Sequence, residues 1–532
     1  MEGFFGLPVF WIKCRPRRLA SNFFDLARSW INMKLLKNTR KKVVTLAVAS
    51  ALGGVAMMSA PAHAMNVAQD GKGEVLLFPY YTVKNGFDTI FSVVNTSDRT
   101  TLFKIRFREA RNSREVRDFN VALSPHDVWT GGVTISGADG ALVRTFDKSC
   151  TSPILPAGPN GSGQVEFTSI GYDGSDAQFA YDNGGRNLSR VQEGYVEIIE
   201  MAWSTIPEAA IPAAGTSIET VTQHVAGVPR SCATFDAAFL DPANLVNGPA
   251  GSGVFSTFTA PANVLVGNAT LINIASGQAY DATPTAIQAF QDSNTIIFPP
   301  GGTGPSLADG EDSLSPAAVT ANMLIDGVPQ PLPVAPRAPL VATSVDAVST
   351  LLMANSLINE YASGGTETSG AKTDAVVTFP TKHHYTDDGL VLSPGIPPFA
   401  QAFTPLGQSC DPIGLSIYDR EEKTQVSVGQ NQFSPAPSGP AGAAFCNEVN
   451  VVTFNAGAVL GSSVQLSVDT STVGTAGWFN LILIGTAPLN GLSGLPAIGM
   501  SAVQRNNSVE AGNNRNYGSG SEHARNVVLG TP

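Results

Sequence analysis

The chain has 532 residues and a formal net charge of −11, with only 14% charged residues, 53 glycines and 36 prolines. Such an acidic chain has no overall field for nucleic acid, and sparse charge with abundant small polar residues suits exposed sheet and long loops better than a helical enzyme. The expected fold class is mainly β: two β-sandwich-like (immunoglobulin-like) domains with long loops and one notable helix.

From Met33 the sequence reads MKLLKNTRKK, VVTLAVASALGGVAMMS and APAHA, a basic n-region, an apolar h-region and a small-x-small site with Ala62 and Ala64 at its key positions. Residues 33–64 are therefore read as a Sec-type signal peptide, with Met33 as the true start and residues 1–32 as a non-native extension. The apolar run from Val43 to Met58 is shorter than the roughly 20 residues of a spanning helix, so cleavage would leave no transmembrane anchor. Residues 65–532 keep 22 basic and 41 acidic residues, a net charge of −19. The expected location is the cell surface or the medium, with the periplasm as the alternative.

Val75–Tyr81 and Thr89–Val94 have strand composition and are separated by the turn-like Lys84-Asn85-Gly86. Strict alternation over Phe103–Arg108 predicts a strand that buries Phe103, Ile105 and Phe107 and exposes its cations. Phe119, Val121 and Leu123 repeat the pattern. Arg99, Lys104, Arg106, Arg108, Arg111, Arg114 and Arg117 concentrate positive charge in a chain that is otherwise acidic. They are candidates for a patch that meets an anionic envelope component or an acidic face of another copy. The competing reading is a solvated sheet face neutralised by Glu109, Glu115 and Asp118.

Residues 150–190 read as loop, and strands are expected at Gly194–Trp203, Thr270–Ala275 and Asn294–Phe298. Glycine, proline, serine and alanine dominate from Gly301 to Pro339, which favours extended polyproline geometry. This places a boundary near residue 340, giving domains 65–340 and 341–532. The second domain opens with a helix near 344–361, whose stripe is Val345, Val348, Leu351, Leu352 and Ile358. Strands follow at Ala375–Phe379, Leu415–Tyr418, Val449–Phe454, Val464–Val468, Trp478–Ile484 and Ala497–Val503, and the tail from Arg505 is expected to be loose.

Cys150, Cys232, Cys410 and Cys446 form an even set in an exported chain, which favours disulfides over metal ligation. Among the three pairings, Cys150–Cys232 with Cys410–Cys446 keeps each loop within one domain. Asp173, Asp176 and Asp182 in a glycine-rich stretch, and Asp309, Glu311 and Asp312 in a second cluster, are the calcium candidates. No motif calls for another cofactor. His383 and His384 would point to opposite faces of a strand and so could not both reach one ion. Ser124-Pro125-His126-Asp127 reads as a turn rather than part of a triad. Phe78, Tyr80, Tyr81 and Trp129 are either core or stacking platforms for a glycan, and Asp419-Arg420-Glu421-Glu422 is where a hydrolase would keep a carboxylate pair. No residue is assigned a catalytic role.

GEVLLFPYYTVKNGFDTIFSVVNTS, RFREARNSREVRDFNVALSPHDVW, INEYASGG, VVTFPTKHHYTDD, SIYDREE, FCNEVNVVTFN and GLPAIGMSAVQ together resemble a family of uncharacterised exported, β-rich proteins of Gram-negative bacteria. The resemblance spans about residues 73–505 and implies secretion and a recurring β-rich design, without a reaction. The function expected is that of a non-enzymatic cell-surface or envelope structural protein, such as a surface-layer or assembly subunit that self-associates. The alternative is an exported glycan- or small-ligand-binding module, and an exported hydrolase stands behind both. An outer-membrane barrel ranks low, because the strand runs are shorter than the roughly ten residues it needs.

Overall fold

The computed structural model describes residues 64–177, 179–311, 319–337, 341–366, 369–386, 396–399, 401–403, 407–427, 433–434, 443–455, 457–507 and 515–530. The N-terminal extension, the assigned leader up to residue 63, and Asp312 lie outside the described residues.

Strand follows strand along most of the chain, and the fold is mainly β. Up to residue 333 the strands build two large sheets, beside the short pair His224–Val225 with Val228–Pro229. The larger has, in spatial order, Val328–Pro333, Thr320–Ile325, Ala64–Val67, Thr285–Gln288, Val75–Thr82, Glu193–Pro207, Arg99–Glu109, Glu115–Leu123 and Cys150–Ser152, with Phe258–Thr259 beside Glu193–Pro207. The smaller is centred on Asp88–Asn95, between Val128–Ser136 and Leu265–Asn273. Later strands build two short pairs and two more large sheets. In one, Ala476–Leu483 lies between Asp411–Asp419 and Ser356–Ala362; in the other, Ser369–Thr378 lies between Val449–Phe454 and Ile498–Asn507.

Successive side chains of a strand point to opposite faces, and here both faces are covered. Val75 and Leu77 enter one core, whereas Leu76 and Phe78 enter another. Val376 and Val377 divide in the same way. The first core joins Met65, Ile199 and Ile287 to Val345, Leu351, Leu357 and Phe479. The second joins Phe91, Phe107 and Trp129 to Val451 and Met500. A boundary near residue 340 therefore separates the sheets but not the cores, and residues 61–532 form one compact unit. Hydrogen bonds also cross it: Thr378 Oγ1 donates to the Pro79 carbonyl at 2.6 Å, and Asn85 Nδ2 to the Val459 carbonyl at 2.7 Å.

Four local expectations change. The helix is Thr343–Leu352, and Ile358 sits on the strand Ser356–Ala362. Asn294–Phe298 is not a strand; the Thr295 and Ile296 amides bond instead to the Gly248 and Met201 carbonyls. The proline-rich run before residue 340 includes a hairpin, Thr320–Ile325 with Val328–Pro333, turning at Asp326-Gly327, both at positive φ. Asp-Gly is the dipeptide that such a turn favours. The tail is ordered as Arg515–Glu522 along Ile498–Asn507, and it packs against Gln278–Asp281.

Both disulfides form in the expected sequential pairs, Cys150–Cys232 and Cys410–Cys446. Among the described residues no helix is long and apolar enough to cross a membrane.

Candidate functional site

Three adjacent strands, Glu193–Pro207, Arg99–Glu109 and Glu115–Leu123, send Ile198, Ile105 and Phe119 into the second core. The opposite face of these strands is ionic. In register, Glu197, Arg106 and Asp118 form one row, and Tyr195, Arg108 and Glu115 form the next. The cations pair diagonally rather than straight across: Arg108 Nε donates to Glu197 at 2.7 Å, Arg106 Nε to Glu115 at 2.5 Å, and Lys104 Nζ lies 3.1 Å from Asp118.

The expectation of a wet face fails here because a loop covers it. Lys104 Nζ donates to the carbonyls of Pro299 and Gly304 at 2.8 and 2.5 Å, and Arg106 Nη1 to those of Thr303 and Pro305, both at 2.7 Å. Asp118 in turn accepts the Gly301 amide at 3.0 Å. A covering segment without regular structure leaves main-chain carbonyls to satisfy, and these buried cations satisfy them. Burial pulls Lys104 below its ordinary pKa, and pushes Asp118 above its own. Burial also opposes the charge on Arg108, but Glu197, Tyr195 and Glu115 together outweigh it and hold the guanidinium charged.

Beside this covered face is a cavity of about 540 Å³. Arg106, Arg108, Arg114 and Arg117 line it together with Glu115 and Asp118, and Phe179 and Phe298 add apolar wall. His383 and His384 close it from the short helix His383–Thr386. The histidines are thus helical, with ring centroids 4.0 Å apart, and the opposite-face argument drawn from a strand does not apply. His383 Nδ1 is buried without a hydrogen-bond partner among the described residues. Burial, then His384, then Arg108, Arg106 and Arg114 hold the ring well below its usual pKa, so it is neutral.

The seven cations consequently do not make an exposed patch. Four line the cavity, Lys104 is fully buried, and Arg111 donates to the Gly184 carbonyl. Arg99 stands apart, 4.5 Å over the Trp203 ring. The first calcium candidates do not converge either. Asp182 pairs with Arg190 at 2.7 Å, Asp173 accepts from Ser169 Oγ and the Ser175 amide, and Asp176 is exposed. Asp309 accepts the Ser306 amide at 2.7 Å in a capping box, and the Glu311 amide donates to the Phe290 carbonyl at 2.7 Å. Among the described residues no three His, Cys, Asp or Glu side chains gather as a metal site.

Phe78, Tyr80, Tyr81 and Trp129 are core residues and offer no stacking platform; Tyr80 Oη donates to Glu193 at 2.8 Å. Asp127 faces His224 Nδ1 at 3.5 Å rather than His126, and Ser124 Oγ lies 3.3 Å from the same nitrogen. A catalytic relay places the serine and the carboxylate on opposite ring nitrogens, and this group does not. Asp419 accepts the amides of Glu421 and Lys423 at 2.9 and 2.7 Å, which makes the acidic run a capped turn.

Sequence reasoning missed Glu197 as the partner of the basic strand, and missed the histidines as cavity wall. A signal was present for the first: Glu193, Glu197 and Glu200 interrupt the otherwise apolar strand EGYVEIIEMAW. No protein-family model matches the chain, and neither the curated proteins nor the solved structures contain a match.

Proposed function

We propose that this chain is a non-enzymatic exported binding protein that holds a small polar ligand in the cavity between the ionic sheet face and His383. The observation that carries the reading is the cavity of about 540 Å³, walled by charged side chains and by a buried imidazole nitrogen without a partner among the described residues. Ligand sites have this size and combine apolar walls with a few convergent polar groups. Two disulfides suit an oxidising compartment, and the resemblance to exported proteins of Gram-negative bacteria supports the same destination. The test is a thermal-shift screen of the purified protein against small carboxylates, phosphates and neutral sugars. Hits should lose their effect in His383→Gln; a panel without any hit would remove the reading.

A structural role in the envelope is the second reading. Its support is the outer face of the sheet centred on Asp88–Asn95, where Ile90, Phe146 and Ile274 are exposed around a groove of about 380 Å³. Exposed apolar clusters mark interaction surfaces, and the occupant proposed is a second copy of the chain. Light scattering of wild type against Phe146→Ser with Ile274→Ser tests it, and a wild type that stays monomeric at all concentrations would sink it.

A further inference from the structure

We propose that the cavity takes the oxyanion of its ligand, a carboxylate or a phosphate, between His383 and the guanidinium groups of Arg108 and Arg117. This rests on the binding reading above and specifies its chemistry. The argument begins with which lining groups are already committed. Glu115 accepts from Arg106, Asp118 accepts from Lys104 and from the Gly301 amide, and Asp309 accepts from the Ser306 amide and hydroxyl. The carboxylates are therefore engaged by internal donors, and a neutral sugar would find few open acceptors.

Donors are in the opposite position. Arg108 gives Nε to Glu197 and Nη1 to the Ser113 carbonyl at 2.8 Å, and among the described residues Nη2 has no partner. Arg117 donates Nε, at 2.8 Å, and Nη2 to one main-chain carbonyl, that of Glu166, rather than to a carboxylate, and among the described residues its Nη1 has no partner. His383 is 6% exposed, and its Nδ1 has no partner among the described residues. A neutral imidazole carries one N–H, so it can add a donor beside the guanidinium groups. After burial, the causes that depress its pKa are His384 and then the guanidinium groups of Arg108, Arg106 and Arg114, and these three arginines line the same cavity, which makes this end a region of positive field. An oxyanion meets both features, because charge-assisted hydrogen bonds from a guanidinium are about twice as strong as neutral ones.

The experiment is calorimetric titration of the purified protein with inorganic phosphate, succinate, citrate, glucose and maltose. Binding of phosphate or of a carboxylate, but of neither sugar, is expected, and the member that binds separates the two sources of oxyanion. Arg117→Gln and His383→Gln should each weaken that binding by about tenfold or more, whereas Arg99→Gln, on the strand of Arg108 but away from the cavity, should leave it unchanged. Should a variant fail to fold, the imidazole ¹⁵N resonances of the wild type report instead; a ligand that binds without moving His383 overturns the placement. Binding of a sugar alone overturns the oxyanion inference and leaves the binding reading standing. Silence from all five overturns both.

Discussion

Arg108 and Glu197 leave water together, each less than a tenth exposed and joined at 2.7 Å. Two such ions are stable only when further hydrogen bonds support them, and here the Ser113 carbonyl accepts from Arg108 and Tyr195 Oη donates to Glu197. Glu197→Gln would strand a buried guanidinium, and a loss of about 3–5 kcal/mol is expected in urea unfolding. Replacing both residues by methionine should recover most of it; a double variant as unstable as the single one would show that packing, not charge, fails. Glu200 and Asp374 are buried as well, and among the described residues neither forms a salt bridge. Burial pushes Glu200 up to about 7 and Asp374 up to about 6. The native state then holds protons that the unfolded chain releases. The resulting stabilisation is complete below the ordinary carboxylate range and is lost as pH rises through about 6 to 7. Unfolding midpoints should therefore fall between about pH 5 and about pH 8. Glu200→Gln should flatten the fall by on the order of 3 kcal/mol, and an unchanged slope would refute the assignment.

Val328–Pro333 closes one end of the largest sheet, and its sequence VPQPLP sets proline at every second position. Alternate residues of a strand turn their N–H groups to the same side, and a proline has none to give. Pro329, Pro331 and Pro333 must therefore turn outward while Val328, Gln330 and Leu332 pair with Thr320–Ile325. This edge cannot template another strand. Replacing the three prolines by valine should give concentration-dependent dimers or larger species by size exclusion with light scattering, and a strictly monomeric variant would contradict the argument. The same segment shows why the sequence was only partly legible. Strands whose core face is flanked by turns, such as Asp88–Asn95, were readable from alternation and punctuation. The edge strand was hidden because proline argues against a strand unless the outward side is known, and that is a tertiary fact. Met353–Ala354 and Ser356–Ala362 were hidden for a related reason, since a short run that follows a helix directly and keeps apolar residues near its stripe has the composition of a continued helix. At the candidate site the basic strand was evident. Its burial was not, because the loop from Pro299 and the helix bearing His383 come from distant parts of the chain.

On the scale of the whole molecule, the alternation of each central strand links the two halves. Val75 and Leu77 meet the helix and sheets beyond residue 340 in one core, and Leu76 and Phe78 meet the other core, to which Val376 and Val451 also belong. Neither half can keep its sheets and lose the other without exposing a full apolar face to water. A strand near the end of the described chain adds a clasp. Arg515–Glu522 runs against Gln278–Asp281 so closely that a Cβ on Gly518 would lie 2.9 Å from the Ala279 carbonyl oxygen, and one on Gly520 2.7 Å from the Asp281 nitrogen. Both are backbone contacts that cannot swing aside, so the glycines of the tail serve close approach. Gly520→Val should destabilise the protein by about 1–3 kcal/mol through overpacking. Because the cores are shared, that loss should appear as a lower midpoint of one calorimetric transition, with the calorimetric and van't Hoff enthalpies in agreement. Separation into two transitions, in wild type or in Gly520→Val, would mean that the halves hold their own cores. The shared-core account would then be wrong.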